Sequence, residues 1–238
     1  MANNFPNPKK VLVISAHPDD PEFSAGGLIA RWAEAGAEIT YVIVTDGSKG
    51  TADPQMTKEK LVAVRQLEQR AAAEVLGAAG VVFLGQPDGE IRNTYDLREM
   101  IVRQIRTHKP EVIITHDPTT RILDNTYLNH TDHRVVGDIV LDSVYPLARD
   151  RLNFPEHEEA GLEPHKVLEV FLSFSNEPNY WVDISATIDK KVAAIIKHAS
   201  QISSPEDIQK WIPERAAERA AKVSFEYAET FRRVQLLR

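Results

Sequence analysis

The chain has 238 residues, 42% hydrophobic and 26% charged, which is the composition of a folded globular protein rather than a disordered or fibrous one. Its 28 basic residues are outnumbered by 35 acidic ones and form no cluster, so the net charge of −7 argues against a nucleic-acid partner. With no cysteine, disulfides, thiolate metal sites and a cysteine nucleophile are excluded, and any metal site must draw on the 8 histidines and the acids.

The opening Met1–Lys10 is polar and proline-punctuated, with no apolar run that would serve as a secretory signal, and no later apolar run approaches the ~20 residues of a membrane span. A cytoplasmic protein is expected, without a membrane partner, as one domain over 1–238. Short β-rich runs then alternate with helical patterns. Val11–Ile14 reads as a strand, followed by a helix over Ala25–Gly36 with Leu28, Ile29, Trp32 and Ala33 on one face. Ile39–Val44 is the second strand, Lys58–Leu76 a helix ended by Gly77, and Val81–Leu84 the third strand. A helix at Asp96–Thr107, a strand at Val112–Thr115 and a helix at Thr131–Ala148 continue the pattern. The last third supplies a strand at Val167–Phe174, a helix with Ile188, Val192, Ile195, Ala199 and Ile202 on one face, and a helical and mixed tail. Continuously apolar strands separated by helices predict an α/β fold: a Rossmann-like, mostly parallel sheet with helices on both faces and a ligand site at the carboxyl ends of the strands.

Two clusters carry chemistry. Directly after the first strand stands His17-Pro18-Asp19-Asp20-Pro21-Glu22, too many ligand-capable groups at a sheet mouth for a packing turn. His17 and Asp20, three apart, can converge on one cation while Asp19 stays free to act. The second cluster, Asn129-His130-Thr131-Asp132-His133, opens a helix, where His130 and His133 share a face. Adding His133 to His17 and Asp20 gives two nitrogens and one oxygen, the three-ligand set of a catalytic site that keeps a position open. The Thr45–Gly50 loop and His116-Asp117 follow strands and border the same region, though turn chemistry or a loop hydrogen bond also explains them. Arg65 and Glu68 have the spacing of a helical ion pair.

These residues resemble the LmbE-like (PIG-L) N-deacetylase family, whose Ala-His-Pro-Asp-Asp signature with a nearby Glu matches Ala16–Glu22. Its His-Pro-Asp-His signature is similar to His130–His133, with Thr131 in place of proline. Leu84–Gly89 and Tyr227–Phe231 extend the resemblance over nearly the whole chain. The resemblance implies a zinc hydrolase of N-acyl groups, usually N-acetyl groups of amino sugars, acting on a small molecule. It implies His17, Asp20 and His133 as zinc ligands, Asp19 as general base, His130 as acid or oxyanion stabiliser and Asp132 as its orienting partner. Arg65, Asp88 and Glu22 are implied on the substrate side. Oligomerisation as a homo-oligomer stays open.

In that scheme metal-activated water attacks the acyl carbon, Asp19 takes its proton, and protonated His130 helps hold the oxyanion. Some proteins of this type resemble metal-dependent hydratases of unsaturated carboxylic acids, which is the alternative. A metal-binding protein without catalysis would leave Asp19 and His130 without a task. Substrate is expected to enter over the loops Thr45–Gln55, Gly85–Tyr95 and His116–Asn129.

Overall fold

Alternation along the first strand decides how the molecule is layered. The computed structural model describes residues 5–237, so the part of the polar N-terminal reading that falls on Met1–Asn4 lies outside the described residues, as does Arg238 of the tail. Strand β1 (Lys10–Ser15) sends Val11 and Val13 to one face of the sheet and Leu12 and Ile14 to the other, all buried. Each face is covered, so the strand reads as a continuous apolar run. Full burial of one such side chain is worth roughly 1.5–3 kcal/mol.

The order is then α1 (Asp20–Glu34), β2 (Glu38–Thr45), α2 (Lys58–Leu76), β3 (Gly80–Gln86), α3 (Tyr95–His108) and β4 (Val112–His116). A two-strand hairpin, β5 (Ile122–Leu123) and β6 (Tyr127–Leu128), precedes α4 (Thr131–Asp142). The chain finishes with α5 (Glu156–Glu159), β7 (Glu169–Ser173), β8 (Tyr180–Asp183), α6 (Ile188–Ile195), α7 (Pro205–Ala220) and β9 (Ala228–Gln235). In the seven-stranded sheet the order is β3-β2-β1-β4-β7-β9-β8, parallel from β3 to β7, with β9 antiparallel to both neighbours. From β1 the chain winds outward through β2 and β3 and returns to β4 on the other side. The carboxyl ends of β1 and β4 therefore flank the crevice where such sheets hold ligands. Among the described residues no helix is long and apolar enough to cross a membrane.

Three segments depart from the sequence reading. The helix expected over Thr131–Ala148 stops at Asp142 and passes into a π-helical turn, Ser143–Leu147, where Tyr145 leaves helical backbone (φ −146°, ψ 126°) ahead of Pro146, which has no N–H to give. The helix expected to run to Ile202 ends at Ile195, because Ser200 is drawn to Glu68 through its N–H (2.7 Å) and hydroxyl (2.7 Å) and His198 to Glu22 (3.1 Å). Glu68 is thus engaged by Ser200 rather than by Arg65. Two strands lie outside the sequence reading: the four-residue β8 ahead of α6, and β9 in the tail, where charge obscured it with Glu229, Arg232 and Arg233 within eight residues.

One buried ion pair locks this C-terminal part to the helix that opens the site. Lys191 on α6 donates to Glu229 on β9 (2.6 Å) and to the carbonyl of Phe23 (2.9 Å), while Glu229 accepts from the N–H groups of Gly27 (2.9 Å) and Leu28 (2.8 Å). The pair replaces part of the internal ladder of α1. Gly26 leaves room for the Lys191 stem, since a Cβ there would lie 3.1 Å from its Cγ, and Gly27 lets Ile184 pack on α1, where a Cβ would lie 2.6 Å from its Cγ2. Lys191→Met is expected to strand a buried carboxylate and cost about 3–5 kcal/mol, read as a lower urea midpoint, and adding Glu229→Gln should recover part of the loss.

Candidate active site

The turn from β1 into α1 is held in an unfavourable backbone shape. Asp19, at the N-cap of α1, has φ 95° and ψ −33°, a left-handed conformation that a non-glycine residue keeps only at a cost of ~1–3 kcal/mol. Helix α2 supplies the restraints. Gln69 Oε1 accepts the Asp19 N–H (2.9 Å), and Arg65 Nη2 donates to the carbonyl of Pro18 (2.7 Å) and to Asp19 Oδ2 (3.1 Å). Arg65 Nη1 donates to the carbonyl of Gly47 in the loop after β2 (3.0 Å). Behind them Gln69 donates to Glu22 Oε1 (2.9 Å), whose other oxygen faces His198 Nε2 (3.1 Å). Glu22 is fully buried in this network and does not reach the cleft, unlike the substrate contact implied for it. His198, assigned no role in the sequence reading, stands in the same chain of contacts.

Asp20 turns the other way. Its Oδ2 accepts the His17 N–H (2.8 Å) and lies 3.4 Å from His17 Nδ1, and its Oδ1 lies 3.1 Å from His133 Nε2. The orientation of each ring follows from its far nitrogen. Asn129 donates through Nδ2 to the Thr120 carbonyl (2.8 Å), so its Oδ1 accepts from His133 Nδ1 (2.9 Å) and leaves the Nε2 lone pair facing Asp20. His17 Nε2 faces Asp132 Oδ2 (3.2 Å) and Asp88 Oδ1 (3.3 Å), which leaves Nδ1 toward Asp20. Two imidazole lone pairs and a carboxylate thus converge on one point, and only a proton or a cation satisfies that arrangement. His17, Asp20 and His133, all buried, place their ligand atoms within 4.8 Å of one another and could hold a metal ion. A second set, His17, Asp88, His130 and Asp132, meets the same distance. Its atoms are already engaged: Asp132 Oδ2 accepts the Gly89 N–H (2.7 Å) and His130 Nδ1 accepts the Asp132 N–H (3.1 Å), so the first set fits better.

The charges show what a cation would relieve. Burial opposes protonation of His17, yet Asp132, Asp20 and Asp88 outweigh it and push the imidazole up to about 12. Burial, and then the neighbouring Asp20, push Asp19 up to about 6 against the pull of Arg65, His198 and His17. His116 goes down to about 4, by burial and then by His133, and stays neutral. Its Nε2 accepts the Ala16 N–H (3.0 Å), so that lone pair is spent, and its ring stacks on His133 (centroids 4.1 Å apart, 6° between planes). His116 is a support for the ligand ring. Gly137 lets α4 come close enough for this, since a Cβ there would lie 2.6 Å from the His116 carbonyl oxygen.

Asp132 and His130 are arranged differently from the implied pairing. The Asp132 carboxylate lies 3.9 Å from His130 Nδ1 and is spent on His17 and Gly89; it is the Asp132 backbone N–H that orients the His130 ring. With Nδ1 accepting, the neutral ring carries its proton on Nε2. Burial, and then the charge of His17, hold His130 below its ordinary pKa, which favours the neutral ring over the imidazolium.

Around this centre lies an open cleft of about 810 Å³. His17, Asp19, Asp20, Arg65, His130 and His133 all line it, together with Lys49, Gly50, Asp88, Leu123, Thr126 and Tyr127 from the three loops expected to admit substrate. Sequence reasoning missed the far wall: Phe174, Trp211, Arg215 and Arg219. Phe174 follows the carboxyl end of β7, a position that was itself a usable signal, and its ring stacks against His133 (6.1 Å) with φ 53°.

Comparison with known proteins agrees with this geometry. The family model PIG-L, described as GlcNAc-PI de-N-acetylase, matches residues 12–144. Diacetylchitobiose deacetylase of Thermococcus kodakarensis is 34% identical over 88% of this chain and 76% of its own. The structure of N,N'-diacetylchitobiose deacetylase from Pyrococcus horikoshii with its inhibitor MPG aligns with a TM-score of 0.89 at 30% identity, over 98% of this chain and 86% of that one. A 4-oxalmesaconate hydratase of Pseudomonas putida is 30% identical over 81% of this chain and 74% of its own.

The contact of Asp132 with His17 has a direct test. Asp132→Asn removes a carboxylate that fixes a ligand ring, and is expected to weaken metal retention about 10- to 100-fold against a competing chelator. Wild-type retention in that variant would show that the contact does not support the ligand.

Proposed function

The chain belongs to the PIG-L family, and from that premise we propose that it is a zinc-dependent N-deacetylase acting on an N-acetylated amino sugar or its conjugate. The observation that carries this reading is the divergence of two adjacent carboxylates: Asp20 faces His17 and His133, while Asp19 faces the cleft, outside the ligand set and tied to Arg65. Amide hydrolysis needs that division, one acid for the metal and one for the proton.

His17, Asp20 and His133 would hold the metal, and two imidazole nitrogens with one carboxylate oxygen suit zinc. Zinc, when bound, polarises the acyl oxygen and makes a water acidic near neutral pH. The chain's own groups do the rest. Asp19 Oδ2 is held by Arg65, so Oδ1 takes the proton of the water as its oxygen bonds to the acyl carbon. His130 donates from Nε2 to the oxygen on which negative charge develops, a contact that strengthens only as the charge forms. Asp19 then returns the proton to the nitrogen as the C–N bond breaks, giving acetate and a primary amine. Arg65 is a positioning residue in this scheme: both of its Nη groups are engaged by protein, so it fixes Asp19 and the Gly47 loop rather than gripping substrate.

The test is release of amine and acetate in equal amounts from N-acetylglucosamine derivatives by zinc-loaded protein. Asp19→Asn should keep its metal and lose ~100-fold or more of turnover, because the amide cannot accept the proton. His133→Ala should lose metal, by elemental analysis. Loss of a conjugated absorbance from an unsaturated dicarboxylate, with no amine from any N-acetyl compound, would replace this reading with that of a hydratase.

A further inference from the structure

Helix α7 borders the cleft along one line. Trp211, Arg215 and Arg219 are four residues apart, share a helix face and all line the cavity that contains the candidate metal ligands. The two arginines differ in how they are satisfied. Arg215 donates to Glu218 (3.0 Å) and lies 3.7 Å from Asp124. Arg219 is half-buried and, among the described residues, has no hydrogen bond or ion pair. Glu229, the acid that acts on it most strongly, spends its oxygens on Lys191, Gly27 and Leu28. A guanidinium carries five donors and stays charged, and the Arg219 nitrogens reach solvent rather than being sealed off, so an anion entering beside them can take up donors that the protein leaves free.

The space beside it has room for that acceptor. A second cavity, about 350 Å³, adjoins the cleft across a shared wall of Leu123, Phe174, Arg215 and Arg219; Lys222 adds a further positive charge to it, while its two acids, Asp124 and Glu218, are both paired with Arg215. Phe174 also stacks against His133 (6.1 Å), so this wall is continuous with the chemical centre.

We propose that Arg219, with Arg215 beside it, forms an anion subsite that recognises a carboxylate or phosphate on the leaving amino sugar, so that the substrate is an acidic glycoside or sugar phosphate rather than a neutral sugar. The inference rests on the deacetylase reading in one respect: an acetyl group has a single carbon beyond its carbonyl, so whatever reaches α7 belongs to the amine fragment. Trp211, 47% exposed, then adds an apolar face to the same wall of the cleft.

The experiment compares zinc-loaded protein on three probes: methyl N-acetylglucosaminide, N-acetylglucosamine 1-phosphate and the glycolic acid glycoside of N-acetylglucosamine. Wild type is expected to favour the charged probes in kcat/KM, chiefly through KM, and Arg219→Gln to lower that preference about 10- to 100-fold, the scale of a charged hydrogen bond. Arg219→Lys keeps the charge and should keep part of the preference. A gain for the phosphate alone, or for both acids, identifies the source of the anion. Calorimetric binding of the same probes to Asp19→Asn protein, which holds them without turnover, gives the second readout. If Arg219→Gln in that background binds the charged and neutral probes with unchanged ratio, the subsite is overturned although amine release may stand. If amine is released from none of the probes, the deacetylase reading fails while the binding ratio still decides Arg219. A preference for neutral N,N'-diacetylchitobiose that Arg219→Gln leaves intact also overturns it.

Discussion

Everything in the site is arranged around an excess of buried negative charge at the carboxyl end of β1. Asp20, Asp88 and Asp132 all face His17, and Asp19 lies beside them. Two like unit charges roughly 4 Å apart repel by about 4 kcal/mol at an effective dielectric near 20, so this cluster needs positive charge to persist. Arg65 supplies part of it to Asp19. Without a metal the rest falls to His17, whose imidazole is pushed up to about 12. A divalent cation between His17, Asp20 and His133 would take over that role, which frees His17 to act as a neutral ligand. Such a cation would offset the repulsion among the acids, as protonated His17 does without it.

Orientation is the second requirement, and hydrogen bonds one step removed from the site meet it. Asn129 fixes His133, Asp132 fixes His17, and the backbone N–H of Asp132 fixes His130. Each contact occupies the far nitrogen of a ring and so determines what the near nitrogen presents. Two of these restraints come from Asp132 in the first turn of α4, and the third from Asn129 just ahead of that helix. Asp19 is held by the opposite device, a strained backbone stabilised from α2 through Gln69 and Arg65.

Much of this was legible in the sequence, and what was not has a physical reason. The β-branched runs of the first four strands and the 3.6-residue pattern of Lys58–Leu76 are local signals, and the elements form where those signals lie. The convergence of His17, Asp20 and His133 could be read because His17 and Asp20 share one turn and His133 opens a helix. The role of Asp132 could not be, because its spacing from His130 points to a side-chain pair, whereas its carboxylate is claimed by His17, 115 residues away. Likewise Arg65 and Glu68 have the spacing of an ion pair, but tertiary partners, Asp19 and Ser200, claim them separately. Strand β8 has only four residues and gives little pattern to read, and β9 was hidden by charge: Glu229 and Arg233 are buried or half-buried only because each finds a partner elsewhere in the fold, Lys191 and Glu169.

The division of the chain follows from the same distinction. Every residue assigned to metal or proton, from His17 to His133, lies within the 12–144 segment that the family model covers. The far wall of the cleft, Phe174 with the α7 face, lies after it and is set in place by the antiparallel extension of the sheet through β9 and by the Lys191–Glu229 pair. The chemical centre is therefore built from local motifs on rigid strand ends, and the surface facing the leaving fragment from tertiary contacts of the last third. A metal site demands fixed geometry, so its residues cannot vary in spacing. A wall that contacts substrate through one helix face can change side chains at four-residue intervals without disturbing the ligands. Such a separation is compatible with one scaffold being similar both to a diacetylchitobiose deacetylase and to a hydratase. On the proposed reading, α7 and Phe174 would then bear on selectivity between substrates, and the candidate metal site on the chemistry.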